Sequence, residues 1–319
     1  MTQESLIWVD KYRPKTFNDI LGQEYFVSRI QSFLDSQNMP HLLFAGTPGT
    51  GKTTTALVVA RELYGENGLH GNFLELNASD DRGIDIIRNH IKEFAKLRSL
   101  AKVPYKIVCL DEADSLTKEA QQALRRTMEK YSATCRFILA CNEISKILDP
   151  IQSRCVIFKF KPLTEDAILK LIEKIEKEEK IDVEKDAKEF LISVSKGDLR
   201  RIVNTLQAAS SVDKKVTKKL INEVVDFVDP KEVKSMVEYA MKGDFFKARD
   251  EMVKLRAKRG MTALEILKEI YKMIIDMDLD PKTKVKIIDR IGTIEFRLVE
   301  GSDEELQLEA LLAMLSLLG

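Results

Sequence analysis

Residues 46–54 read GTPGTGKTT, set between the apolar run HLLFA (41–45) and the helix-forming stretch TTTALVVARELYG (53–65). The spacing G-x-x-x-x-G-K-T places Gly46, Gly51, Lys52 and Thr53 in the register of a phosphate-binding loop. Glycines let the backbone turn so that its N–H groups face phosphate oxygens, and the following helix adds partial positive charge at its start. In that chemistry Lys52 neutralises β- and γ-phosphates and Thr53 offers its hydroxyl to Mg²⁺. A chance glycine turn is the plain alternative. The complete motif between a strand and a helix argues against it.

About sixty residues on, KIVCLDEAD (106–114) is an apolar strand ending in adjacent carboxylates. Asp111 suits the water shell of a metal ion, and Glu112 suits polarisation of an attacking water. Neighbours on a strand face opposite sides, so the chain must turn at the strand end for both to reach one site. The letters DEAD at 111–114 also raise a helicase reading. That class needs a second α/β domain to close over the nucleotide, whereas everything beyond residue 162 reads helical, so the helicase reading is set aside.

Three more polar residues stand out. Asn142 ends the run RFILACN (136–142), where an amide orients water or merely forms a turn. Arg200 follows Gly197-Asp198, with Asp198 as the expected N-cap of the helix LRRIVNTLQ. An arginine in a first turn opposes the helix dipole, which leaves a phosphate grip from a second domain or plain solvation. Arg154 lies in DPIQSRCV (149–156), with no acidic partner evident nearby in the sequence. Asp149 and Pro150 read as an N-cap and first helical position, a single turn that carries Arg154 outward before the strand CVIFKF.

The elements that must position these residues alternate. Apolar runs at 41–46, 72–77, 105–113, 136–142 and 155–160 are separated by helical stretches at 53–65, 84–98 and 118–132. This predicts a parallel sheet covered by helices on both faces. After 161–167 the β signal stops, and helices are expected over 164–180, 186–196, 198–210 and 216–225, with several more from 231 to the end. Asp229-Pro230 marks a break between a small helical domain and a terminal bundle. The Lys/Glu run at 171–190 reads as a solvated helix face.

Composition narrows the function classes. The 319 residues carry 51 basic and 51 acidic side chains, so nucleic-acid binding would need a local patch rather than a global field. Cys109, Cys135, Cys141 and Cys155 lack C-x-x-C pairing and sit mostly in apolar runs, as reduced buried residues do. The three histidines are scattered. The N-terminal MTQESLIWVDKYRP has no signal core and no apolar stretch reaches membrane length, so a soluble cytoplasmic protein with no membrane partner is expected.

Taken together the motifs resemble the AAA+ ATPases of clamp loaders, and most closely the small subunits of archaeal replication factor C. The resemblance spans nearly the whole chain: WVDKYRPKTF (8–17), GTPGTGKTT, NASDDRGID (77–85), LDEADSLT (110–117), ALRRTME (123–129), IQSRC (151–155) and GDLRR (197–201). It implies an α/β fold: a P-loop parallel-sheet domain (1–162), a helical lid (163–228) and an all-helical collar (229–319). It further implies that Val9 and Arg13 border the adenine and ribose of ATP. Gly46, Thr47, Pro48, Gly49, Thr50, Gly51, Lys52, Thr53 and Thr54 wrap its phosphates. Asp111 serves Mg²⁺, Glu112 the water, and Asn142 and Arg200 act as first and second sensors. Arg154 reaches the nucleotide of a neighbouring subunit.

The implied activity is ATP hydrolysis that opens a ring-shaped sliding clamp and loads it onto primer–template DNA, on the nucleoid during replication. The implied partners are a large subunit, further copies of the chain in a pentamer-like ring or spiral, the clamp, and DNA bound without sequence preference. Arg82, Arg88 and, more weakly, Lys146 are the implied DNA contacts. Arg82 and Arg88 are six apart, about 240° around a helix, so spacing alone does not give them one face. Two rival readings remain: a scaffold that binds ATP without hydrolysing it, which intact Lys52 and Glu112 oppose, and a protein-unfolding or branch-migration motor, for which no aromatic pore loop is visible between 80 and 105. The chain lacks the clustered cysteines of the bacterial zinc module and the long extensions of a large subunit.

Overall fold

A computed structural model describes residues 7–80, 90–97, 105–225 and 230–318. Backbone contacts divide the chain into two compact units, Met1–Ile221 and Asn222–Gly319.

The first unit opens with a short helix, α1 (Trp8–Lys11), and a longer one, α2 (Glu24–Asp35). Strand β1 (His41–Ala45) then leads through the glycine loop into α3 (Lys52–Tyr64). Next come β2 (Phe73–Asn77), the described piece α4 (Lys92–Lys96), β3 (Lys106–Asp111), α5 (Lys118–Lys130) and β4 (Cys135–Cys141). One helical turn, α6 (Asp149–Gln152), precedes β5 (Cys155–Lys159). All five strands are parallel in the order β2-β3-β4-β1-β5.

The inner strands β1, β3 and β4 are buried on both faces because their side chains alternate between two cores, while the edge strands β2 and β5 are half-buried. Leu43, Val108, Leu110 and Leu139 pack with Leu124 and Met128 of α5. Leu42, Phe44, Ile107 and Ile138 pack with Ile30 of α2 and Val59 of α3. Each such side chain contributes roughly 1.5–3 kcal/mol on burial, so the sheet is a rigid platform. Strand β1 lies between β4 and β5, so its carboxyl end faces the crevice where connections leave to opposite sides. The expected helix over 84–98 falls mostly outside the described residues.

The unit continues with α7 (Glu165–Glu179), α8 (Lys185–Ser195) and α9 (Leu199–Val212), and its boundary falls within α10 (Lys218–Val225). Thr164 caps α7 by accepting from the Ala167 N–H, and Asp198 caps α9 by accepting from the Arg201 N–H, as its sequence position predicts. Helices α1 and α2 are not among the elements expected from the sequence, and one further element differs from expectation. A two-residue parallel ladder pairs β6 (Asp182–Val183) with β7 (Lys215–Val216), too short to leave any periodic signal.

The second unit is all-helical: α11 (Pro230–Met241), α12 (Phe245–Arg259), α13 (Ala263–Asp276), α14 (Pro281–Val299) and α15 (Glu304–Ser316). Helix α11 begins at the proline of the expected break, while Asp229 is outside the described residues. Asp244, Thr262, Asp280 and Asp303 cap the helices that follow. Leu308, Leu311, Leu312 and Leu315 of α15 enter the bundle core with Ile270, Ile287 and Ile294. Among the described residues no helix is long and apolar enough to cross a membrane.

Candidate functional site: a phosphate loop, two carboxylates and a lid

The glycine loop starts in a tight seat. Gly46 donates its N–H to the Cys141 carbonyl (3.2 Å), and a Cβ there would stand 2.5 Å from the Phe160 carbonyl oxygen. Gly51 has φ +95°, left-handed, and turns the chain into α3 with Lys52 as its first residue. The Lys52 ammonium donates to the carbonyls of Gly46 (2.8 Å) and Thr47 (3.0 Å) and to Asn142 Oδ1 (3.0 Å). Burial lowers its pKa, opposed by the nearby charge of Asp111. The lysine thus holds the loop and the end of β4 together through acceptors that phosphate oxygens can replace.

Thr53 donates its hydroxyl to Asp111 Oδ2 at 2.6 Å. An alcohol oxygen and a carboxylate oxygen meeting at a helix start form the hard-oxygen donor pair that Mg²⁺ takes, with waters and phosphates completing its shell. The donor set therefore fits the ion.

Glu112 resolves the alternation problem posed by two adjacent carboxylates. Its backbone is left-handed, φ +51°, ψ 40°, a strain of about 1–3 kcal/mol for a non-glycine residue. Asp111 Oδ1 accepts the Glu112 N–H at 2.9 Å and steadies the turn. Both side chains consequently line one cavity of about 400 Å³.

The lid reaches the same cavity through the start of α9. The Leu199 N–H donates to the Gly49 carbonyl at 3.3 Å. Gly49 has φ +73°, and a Cβ on it would lie 1.8 Å from Asp198 Oδ1. Arg200, the second residue of α9, is exposed and lines the cavity above the loop. Gly49→Ala is therefore expected to destabilise the first unit by at least about 1–2 kcal/mol from backbone strain alone. It should also push Asp198 and α9 off the loop; denaturant titration and nucleotide affinity read the two effects.

Val9 and Arg13 line the far end of the cavity, and Arg13 Nε donates to Thr54 Oγ1 at 3.3 Å. Every nucleotide-site residue expected from the sequence, apart from Gly46, Thr47 and Arg154, borders this cavity; Gly46 and Thr47 bind Lys52 directly beside it.

Arg154 stands elsewhere. It precedes β5, whose first residue pairs with His41 at the start of β1, so it lies at the amino edge of the sheet. The phosphate loop is at the carboxyl edge, about 16 Å away along β1 at roughly 3.3 Å per residue. Within its own chain Arg154 pairs with Glu129 of α5 (Nη2–Oε1, 2.5 Å) and donates Nη1 to the Pro150 carbonyl (2.7 Å). It is therefore not partnerless, as its sequence neighbourhood suggested; the partner arrives from a helix that ends 24 residues upstream. The helical turn is present, shifted by one residue: Leu148 is the N-cap, Asp149 the first position and Pro150 the second.

Among the implied DNA contacts, Arg82 and Arg88 lie outside the described residues. Lys146 is exposed on the turn after β4 and pairs with Glu143 (2.8 Å), which raises its pKa. Cys109, Cys135 and Cys141 are buried and free, and Cys155 is half-buried.

Sequence reasoning missed two groups. Asp114 accepts the backbone N–H groups of Asn142 (3.1 Å) and Glu143 (3.0 Å), fixing Asn142 beside Lys52. Its place in DEAD was noticed, but nothing local tied it to a strand 28 residues on. Tyr12, Leu171 and Val203 also line the cavity. Leu171 and Val203 sit at apolar helix positions that resemble any core residue.

Residues 42–163 match the ATPase family associated with various cellular activities (AAA), and residues 228–314 match the replication factor C C-terminal domain. A replication factor C small subunit from Methanocella arvoryzae is 46% identical, with 99% of this chain and 98% of that protein covered. One from Staphylothermus marinus is 48% identical, covering 98% and 95%. Among solved structures, the RuvB Holliday junction branch migration motor of Thermotoga maritima aligns over 72% of this chain and 80% of its own. Its TM-score is 0.57 at 17% identity, a likeness of fold alone. The P-loop unit is thus an AAA ATPase, and the chain belongs to the replication factor C small-subunit family, the ATPase subunits of clamp loaders.

Proposed function

We propose that the chain hydrolyses ATP between its α/β domain (1–162) and its lid (163–228), and that each site is completed by a second molecule. Lys52 and the amides of residues 46–54 hold the phosphates, exchanging the loop carbonyls and Asn142 for phosphate oxygens. Thr53 and Asp111 would hold Mg²⁺, which would supply charge neutralisation for the phosphates. Glu112 orients the attacking water and draws off its proton. Asn142, braced by Asp114, senses the γ-phosphate, and Arg200 grips it from the lid, so that the lid follows the nucleotide state. Val9 and Arg13 border adenine and ribose.

The observation that carries this reading is the placement of Arg154 at the opposite edge of the sheet from its own phosphate loop. From there it does not border its own phosphate site, which supports a role at a neighbour's nucleotide. The second unit supplies a way to assemble: Phe296 and Val299, one turn apart on α14, and Val285 nearer its start are exposed apolar side chains suited to contact with other subunits in a collar (229–319). The partners in this reading are further copies of the chain, a large subunit and a sliding clamp that the ATP-bound assembly opens. Primer–template DNA is tracked along its phosphates by Arg82, Arg88 and Lys146, without base readout. The protein works in the cytoplasm, on the nucleoid.

ATPase rates measured with and without the large subunit, primed DNA and clamp test this directly. The expected result is a low basal rate that rises steeply only when all are present. A rate indifferent to every addition would leave an AAA ATPase without a clamp-loading role.

A further inference from the structure

The base end of the cavity is built in an unexpected way. Helix α1 and the residues after it belong in sequence to the α/β domain, yet they hang from the lid. Glu179, the last residue of α7, accepts hydrogen bonds from both Lys11 Nζ (2.8 Å) and Tyr12 OH (2.7 Å) through its Oε1. The Trp8 N–H donates to Gln207 Oε1 of α9 at 2.9 Å, and the Trp8 side chain is buried. From this anchored segment Val9, Tyr12 and Arg13 line the cavity, and Arg13 reaches across to the P-loop helix at Thr54.

A carboxylate at a helix C-terminus opposes the helix dipole, so the stability of α7 does not account for Glu179. Burial pushes its pKa up, but the hydrogen bonds from Lys11 and Tyr12 prevail and hold it low, which keeps the acceptor charged. Burial and the bond to Glu179 in turn raise the Tyr12 pKa, which keeps the phenol a donor. The two contacts are charge-assisted, and Glu179 is mostly shielded, with its side chain 16% exposed.

We propose that Glu179 is a positioning residue for the nucleoside end of the site: it fixes the segment 8–13 to the lid, so that recognition of base and ribose depends on where the lid sits. The inference rests on the nucleotide reading above. The phosphates are held mainly by the loop of the α/β domain, with Arg200 added from the lid, whereas the nucleoside is held by a strap that the lid carries. Lid movement after hydrolysis then acts on the nucleoside end through this strap, beside its direct contact with the phosphate loop at Gly49.

Binding of ATP, ADP and inorganic tripolyphosphate to the full chain separates the two ends. Glu179→Gln and Tyr12→Phe are each expected to weaken ATP and ADP by about tenfold, the scale of one charge-assisted hydrogen bond, and to leave tripolyphosphate unchanged. The double variant should lose little more than the greater single loss, because both changes break one contact. Tyr12→Phe leaves the lid helix intact and covers the case in which Glu179→Gln folds poorly. Equal loss for ATP and tripolyphosphate would show a general structural role and overturn the proposal, as would unchanged ATP affinity in both variants. If the wild-type chain bound tripolyphosphate but gained nothing from the nucleoside, the strap would be disproved while the phosphate loop stood. If Lys52→Ala bound all three like wild type, the nucleotide site itself would fall, and the strap with it.

Discussion

Arg154→Ala is expected to leave ATP binding by the isolated chain intact and to abolish most of the hydrolysis that assembly, DNA and clamp stimulate. An arginine delivered to another molecule's phosphates is worth about 10³–10⁵ in rate in related nucleotide hydrolases, and a loss on that scale is predicted here. The fold should scarcely notice. The pair with Glu129 is partly exposed on both sides, 37% and 43%, and such pairs contribute about 0–1 kcal/mol. The same weakness would let a neighbour's phosphate take Arg154 away from Glu129 in the proposed assembly. A mixing experiment sharpens the test. Arg154→Ala chains keep Lys52, and Lys52→Ala chains keep Arg154, so each is inactive alone. Mixed assemblies should regain part of the activity, because some interfaces pair an intact loop with an intact arginine. Full turnover by Arg154→Ala alone would remove the arginine from the reaction.

Glu112→Gln is the second large effect. The amide keeps the size of the side chain and its left-handed backbone, so the cavity and the Asp111–Thr53 pair should persist. What disappears is the carboxylate that takes the proton of the attacking water, a loss of about 10²–10⁴ in rate for general-base catalysis. Affinity for ATP should hold, and kcat should fall with little change in KM, since the interaction is made chiefly in the transition state. A chain that served only as an ATP-binding scaffold would show no loss at all, and that outcome would reverse the catalytic reading. Asp111→Asn is a poorer test, because Asp111 also accepts the Thr53 hydroxyl and the Glu112 N–H, and a change there disturbs metal, loop and turn together.

Strand and helix boundaries agreed with the structure to within about two residues where residues are described, for a physical reason. Two-sided burial in a parallel sheet leaves continuous apolar runs, and Leu42, Leu43 and Phe44 are one such run with no exposed member. The ladder of β6 and β7 escaped notice because two residues carry no period. Within the site, the loop from Gly46 to Thr54 was legible as a unit because its chemistry is contiguous and its spacing is the geometry. Glu112 was legible as a carboxylate of the site but not as a left-handed residue: strain at a strand end has no compositional mark.

The sequence by itself determined the phosphate chemistry, the carboxylates that serve it and the alternating order of strands and helices that brings them to one sheet edge. These depend on residue types and short spacings, which act through local backbone geometry. Tertiary structure alone decided which distant side chains meet. It placed Arg154 at the far edge of the sheet against Glu129, set Asp198 over Gly49, and tied Tyr12 to Glu179 across 167 residues. Such contacts depend on how two cores pack on opposite faces of one sheet and on where the lid settles against it. No spacing along the chain encodes that.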